Sequence, residues 1–258
     1  MAEYLLFRLY GPMASWGEIA VGESRHSAVH PSRSALLGLL GAALGVRRDD
    51  DEAQQALASG YRFAVKVLSA GVPLRDYHTV QAPPQRKNVV YRTRAQELAN
   101  KQVLETLLSM REYRCDSLAV VAVEALPSAR WTLDELRAAL LSPVFPLYLG
   151  RKSCPPALPL APEVITAVNL ADAFATKQRS LMALTTKANK AEADWPSRED
   201  IRVLRLHGET VRYHWEDGMD AGMEPDMHVM RQDQPLSRRR WQFAPRREYV
   251  RLERERMQ

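Results

Sequence analysis

The stretch YLGRKSCP, residues Tyr148 to Pro155, places a glycine behind an aromatic and follows it with Arg151, Lys152, Ser153 and Cys154. Prolines bracket it at Pro146, Pro155 and Pro156. Gly150 lets the backbone approach a bound group closely, and Arg151 and Lys152 bring charge and hydrogen-bond donors. These are the parts of an anion site. They do not make a P-loop, which needs G-x-x-x-x-G-K-[ST]. Here Arg151 and Pro146 occupy the two glycine places, which sets nucleotide hydrolysis aside.

Other chemistries have less support. The six histidines, His26, His30, His78, His207, His214 and His228, form no H-E-x-x-H motif, and no metal or cofactor is expected. His26 and His30 are four apart, but nearby glycine and proline argue against a shared helix. G-x-S-x-G is absent. Cys115 and Cys154 lack zinc-type spacing and read as reduced thiols. Metal-free RNA cleavage needs only an acid and a base beside the ribose 2′-hydroxyl. Tyr77, His78 and Lys87 keep that endoribonuclease alternative open.

The formal net charge is +5, and arginine outnumbers lysine 29 to 7, which favours forked contacts to phosphate or carboxylate. Residues 231–258 hold nine arginines and four acids, so 9 − 4 = 5 and residues 1–230 sum to zero. A field this concentrated steers a polyanion. No apolar run approaches the roughly 20 residues needed to span a bilayer. The start, MAEYLLFRLYG, does not read as a signal peptide, so a cytoplasmic protein is expected, with no membrane partner.

The elements that must position these groups follow from periodicity. YLLFRLYG reads as a strand, and SRSALLGLLGAALG as a helix entered at Pro31-Ser32 and stopped at Gly45. YRFAVKVLSAG and VPLRDYHTVQ read as a strand and its hairpin partner. Residues 82–110 look like an excursion from the sheet. REYRCDSLAVVAVEAL returns as a strand, and TLDELRAALLS is a capped helix. The order is close to β-α-β-β-α-β with an insertion. The expected fold is therefore α+β, a modified ferredoxin-like palm over 1–81 and 111–156. A thumb occupies 82–110, and a smaller, mostly β subdomain with a basic tail occupies 157–258.

Six stretches in order carry a family resemblance: GPMASWG, PSRSALLGLLGAALG with RRDD behind it, LRDYHTV, REYRCD, YLGRKSCP and RRRWQFAPRREYV. Together they resemble the CasD family, the RAMP subunit of the type I-E CRISPR surveillance complex, Cascade. The resemblance implies a non-catalytic subunit that caps the 5′ repeat-derived handle of the CRISPR RNA (crRNA). Its implied partners are the Cascade backbone subunit, against which the thumb projects, and the large subunit that reads the PAM. Contact of the basic tail with target DNA is also possible. Carried onto this chain, Ser32, Arg33 and Ser34 would hold a phosphate at a helix start. Gly150, Arg151, Lys152 and Ser153 would grip the handle backbone. Trp16, Tyr77 and His78 would stack bases, with Trp16 equally able to pack under its own loop, and Arg111 would close the thumb on a base edge or phosphate. No catalytic residue and no metal ligand is implied.

Overall fold

The computed structural model describes residues 1–20, 22–84, 89–176, 210–237, 240 and 242–254. At its centre, β1 (Ala2–Ala14) lies antiparallel between β7 (Glu105–Ala125) and β8 (Glu163–Ala167). The other edge of β7 pairs antiparallel with β5 (Tyr61–Ser69). Between β1 and β5 run helices α1 (Arg33–Leu44) and α2 (Asp51–Gly60), and α4 (Leu133–Leu141) lies between β7 and β8. The caps are the ones the sequence suggests. Ser32 accepts the Ala35 N–H, Gly45 ends α1 in the left-handed conformation, and Thr132 and Glu135 form a capping box on α4.

These central strands are buried on both faces. Leu5, Phe7, Phe63, Val65, Val121 and Val123 face the leucines of α1 and α4. Tyr4, Leu6, Ala64, Leu118, Val120 and Ala122 face Trp215, Met219 and helix α5 (Leu170–Ala175). Covering both faces is why LAVVAV and YLLF read as unbroken apolar runs instead of alternating ones.

Two features depart from the sequence reading. The strand VPLRDYHTVQ, β6 (Val72–Ala82), does not pair back on β5. It pairs antiparallel with the first half of β7, from Val72↔Cys115 to Ala82↔Glu105. β5 and β6 thus follow one another along the same edge of β7, with the break at Gly71 (φ 67°). A side chain at Gly71 would meet the Cys115 carbonyl at 2.4 Å, so only glycine admits that crossing. The result is a two-stranded arm. Short turns at its tip include α3 (Arg94–Glu97), and the tip falls within the expected 82–110 insertion. Lys87 lies outside the described residues.

The second departure concerns the region expected as a smaller β subdomain. β9 (Thr210–Glu216) pairs with β5, β11 (Gln242–Arg254) with β9, and β10 (Met227–Ser237) with β11. All three continue the same large antiparallel sheet. Pairing β9 to β5 satisfies backbone groups that would otherwise form an open edge. Residues 177–209 and the end of the basic tail, 255–258, lie outside the described residues.

The join between α1 and these strands is ionic and buried. Arg33 pairs with Glu216, donates from Nη2 to the Ala58 and Tyr61 carbonyls (2.7 and 2.9 Å), and lies over the Phe63 ring. The Arg33 backbone N–H donates to Asp233 Oδ2 at 2.8 Å. Arg246 holds both Asp233 oxygens and donates to Glu248 Oε2 at 2.6 Å. Glu248 Oε1 meets His30 Nε2 at 3.2 Å and His214 Nδ1 at 3.3 Å. Burial tends to raise the Glu248 carboxyl, but hydrogen bonds from His214 and His30 and the Arg246 charge hold it well below the usual range.

Two predictions follow from this join. Removing one partner of a buried pair strands the other, so Arg33→Ala should lower the unfolding free energy by about 3–5 kcal/mol in urea titration. Burial also lowers the His214 pKa from 6.5 to about 4. Between those values the unfolded chain takes up a proton that the folded chain refuses, so stability falls as pH drops from about 6.5 to 4. Melting temperatures of wild type and His214→Gln, compared across that window, should show the wild-type loss, on the order of 3 kcal/mol, and a flatter profile in the variant.

Candidate nucleic-acid interface

The glycine loop is seated against the end of β1. Ser15 N–H donates to the Leu149 carbonyl, Leu149 N–H to Cys154 and Cys154 N–H to Arg151. Leu149 and Cys154 are fully buried beneath it. Gly150 has φ 87°, and a Cβ there would lie 1.8 Å from the Ser15 carbonyl oxygen. The loop therefore exists in this form only with glycine. Above this seat Lys152 and Ser153 are exposed. The Arg151 guanidinium lies 4.8 Å from the centre of the Tyr113 ring, and its Nη1 has no hydrogen-bond partner. The turn thus presents a half-buried arginine, a free lysine and a hydroxyl on a fixed backbone, a set of donors suited to phosphate.

The root of the arm lies beside this loop, because Tyr113 sits on β7 just below the last β1 pair, Ala14↔Arg114. Side chains alternate along β7, so Arg111 shares the Tyr113 face and Glu112 points the other way. A two-residue strand, β3 (Ser24–Arg25), runs parallel to β7 and sets Arg25 opposite Arg111. On the reverse face Glu112 receives His26 at 3.2 Å, Arg75 at 3.2 Å and the Ser27 N–H. Burial tends to raise the Glu112 carboxyl, but the His26 hydrogen bond and the other donors hold it below its ordinary value.

The residues proposed from sequence divide sharply. Gly150, Arg151, Lys152 and Ser153 form the loop, and Arg111 stands near it on the arm. Trp16 is not a stacking platform. It is 4 % exposed and packed in the core under the loop, since a large apolar ring is stabilised by leaving water. Arg33 does not reach solvent, because Glu216 and two carbonyls hold it in the core. Ser32 is buried as the cap of α1 and bonds with Ser34. The anion expected at this helix start is the protein's own Asp233 carboxylate. Tyr77 is exposed, but it pairs in register with Met110 and so points away from the Arg111 face. His78, across from Ser109, shares that face and is ion-paired with Asp76.

Sequence reasoning missed Arg25, Tyr113 and the buried pair His30–His214. Arg25 sits in an irregular loop, and its placement depends on a strand pairing 86 residues away (111 − 25). His30, His214 and Glu248 bring ligand atoms within 4.8 Å of one another, the one such group among the described residues. A divalent ion could be held there. In this structure both imidazoles bond to Glu248 Oε1 and Arg246 occupies Oε2.

The comparisons agree with this architecture. Residues 4–249 match the family described as CRISPR-associated protein (Cas_Cas5), so the class is that of CRISPR-associated proteins. Within it, the chain belongs to the Cas5 family. It is 39% identical over 168 residues to the CRISPR system Cascade subunit CasD of Escherichia coli (strain K12), covering 62% of this chain and 70% of that one. It is similar to a chain of a CRISPR RNA-guided surveillance complex, with TM-score 0.61, 25% identity and coverage of 97% of this chain and 90% of the other. A crystal structure of a Cas protein is similar at TM-score 0.55 and 26% identity, covering 97% and 94%.

A side chain at Gly150 has nowhere to go. Gly150→Ala should cost at least about 1–3 kcal/mol through backbone strain alone. Hydrogen exchange should show the loss as faster exchange of the Ser15, Leu149 and Cys154 amides.

Proposed function

We propose that this chain binds crRNA as a subunit of a Cascade-type surveillance complex and caps the 5′ repeat-derived handle without cutting it. The observation that carries this reading is the glycine loop, which presents Arg151, Lys152 and Ser153 on a rigid seat beside the cationic root of the arm. Membership in a family of CRISPR-associated proteins supports crRNA as the polyanion such a surface would meet. We read β5-β7-β1-β8, with α1 and α4 on one face, as a ferredoxin-like palm of the RAMP kind. The arm is its thumb.

Exposed Tyr77 and Leu108, on the face of the arm away from Arg111, fit a protein neighbour, which we take to be the backbone subunit of the complex. The PAM-reading large subunit is the second partner, and assembly in the cytoplasm goes with this reading. Contact of the tail with target DNA would draw on its other arginines, because three of them are engaged within the protein. Arg231 is paired with Glu18, Arg246 is spent in the core, and Arg251 donates to the Glu224 carbonyl.

The separation of Tyr77 from His78 weighs against the nuclease alternative, and its third residue, Lys87, lies outside the described residues. Tyr77 and His78 lie on opposite faces of the arm, and His78 is tied to Asp76. A 5′-labelled repeat RNA, incubated with the protein in EDTA, should be bound in a salt-sensitive way and remain full length on a denaturing gel. One clean cut within the repeat, lost in His78→Ala, would overturn the capping reading.

A further inference from the structure

We propose that His30, His214 and Glu248 form a buried structural site for one divalent transition-metal ion of the zinc type. His30 stands just before α1, His214 on β9 and Glu248 on β11. The two histidines are 184 residues apart (214 − 30), so no spacing motif marks them in the chain. An ion held there ties the entry of the helix to two of the C-terminal strands. The proposal uses none of the glycine-loop or arm residues and does not depend on RNA binding.

The placing of hydrogens carries the argument. His30 Nδ1 lies 3.0 Å from the Pro31 carbonyl, which can only accept, so Nδ1 bears a hydrogen. In the neutral ring Nε2 then presents a lone pair, and it faces a second acceptor, Glu248 Oε1, at 3.2 Å. Something positive must lie between them, a further hydrogen or a metal ion. His214 Nδ1 approaches the same oxygen at 3.3 Å, and the two rings stand 3.8 Å apart, centre to centre. A charged hydrogen bond between imidazolium and carboxylate closes to about 2.7–2.9 Å, and both contacts are longer than that. A tetrahedral zinc ion spaces its nitrogen and oxygen donors roughly 3.3–3.5 Å apart. Two imidazoles converging on one carboxylate oxygen thus have the spacing of ligands around a metal. All three donor atoms lie within 4.8 Å of one another. Less than about 1 Å of movement by each ring closes the widest separation to a tetrahedral edge.

The surroundings support the same assignment. The Pro31 carbonyl fixes the His30 tautomer and leaves Nε2 as the ligand atom. Arg246 donates to Glu248 Oε2 at 2.6 Å, which orients the carboxylate and leaves Oε1 for the ion. Glu216, Asp233 and Glu248 bring three negative charges to this join, against two positive ones on Arg33 and Arg246. With neutral imidazoles the buried set is one positive charge short, and a cation supplies it. Two imidazoles and a carboxylate suit zinc, whereas magnesium and calcium favour all-oxygen sets. The three side chains are buried, which shuts out a substrate and makes the ion's role structural.

The test uses the full chain, stripped with EDTA, dialysed and titrated with zinc chloride near pH 7.5. One equivalent should bind. At a hundredfold excess over its Kd the folding equilibrium should shift about a hundredfold, read as a rise in melting temperature that magnesium does not produce. Cobalt(II) in place of zinc should show the visible absorption of a tetrahedral site. The NMR signal of a hydrogen on His30 Nε2 should disappear as zinc is added. His30→Gln and His214→Gln should each lose the bound equivalent and the thermal shift, while the exposed His228→Ala keeps both. Should both Gln variants fail to fold, the cobalt spectrum and the NMR signal of the wild type decide. No stoichiometric zinc in the wild type, or zinc retained by both Gln variants, would overturn the site. A His30 Nε2 hydrogen that persists in saturating zinc would overturn it as well and show that a proton joins the histidine to Glu248.

Discussion

The contact between the N-terminus of α1 and Asp233 organises much of this molecule. A helix start carries unpaired N–H groups and a partial positive charge, and here a carboxylate from β10 meets it. Arg246 holds that carboxylate in place, and Arg33, the first residue of the same helix, reaches Glu216 on β9. One helix end is thereby locked to all three C-terminal strands. The charges are buried, so each depends on the others: removing any one leaves an unpaired ion in a poor solvent. The strands joined to β5 by backbone pairing are joined to α1 by side chains, and the large sheet behaves as one body.

That lock decides where an external anion can go. The slot that a helix start offers to phosphate is filled from within, which leaves the glycine loop as the anion-ready feature on which the proposed RNA binding rests. Its seat has the opposite character, with Leu149, Cys154 and Trp16 packed beneath it and no carboxylate paired with Arg151 or Lys152 among the described residues. A basic loop with a hydrophobic floor keeps its cations facing solvent and spends little of its charge on the protein itself. The same sorting applies to the arginines of the tail. Arg231, Arg246 and Arg251 are each engaged within the protein, by Glu18, by Asp233 and Glu248, and by the Glu224 carbonyl.

The arm has a different energetic basis. Two strands with exposed apolar side chains on a narrow ladder gain little from burial, and a hairpin of this kind is marginal alone. It is anchored at its root by pairing with the long β7 and by the short β3. Its outer half is available for a neighbour to cover. The palm thus gains far more from burial than the arm does.

Much of this was legible from the chain alone, wherever the deciding forces are local. The caps at Ser32, Gly45 and Thr132, the apolar strands, and the glycine loop all depend on residues a few positions apart. Gly150 announced a special backbone because no other residue tolerates its conformation. The burial of Arg33 was not legible, and for Trp16 the sequence left stacking and packing under the loop equally open. An aromatic ring can stack on a base or fill a core, and an arginine can bind phosphate or Glu216; which it does depends on partners up to 183 residues away. The pairing of β6 with β7, and the placing of Arg25 beside Arg111, are likewise register decisions between distant segments. Sequence by itself determined the local elements and the chemistry they carry. Only tertiary structure decided which charges were consumed inside and which were left to meet a ligand, because compensation of a buried charge is settled by whatever the fold brings within hydrogen-bonding reach.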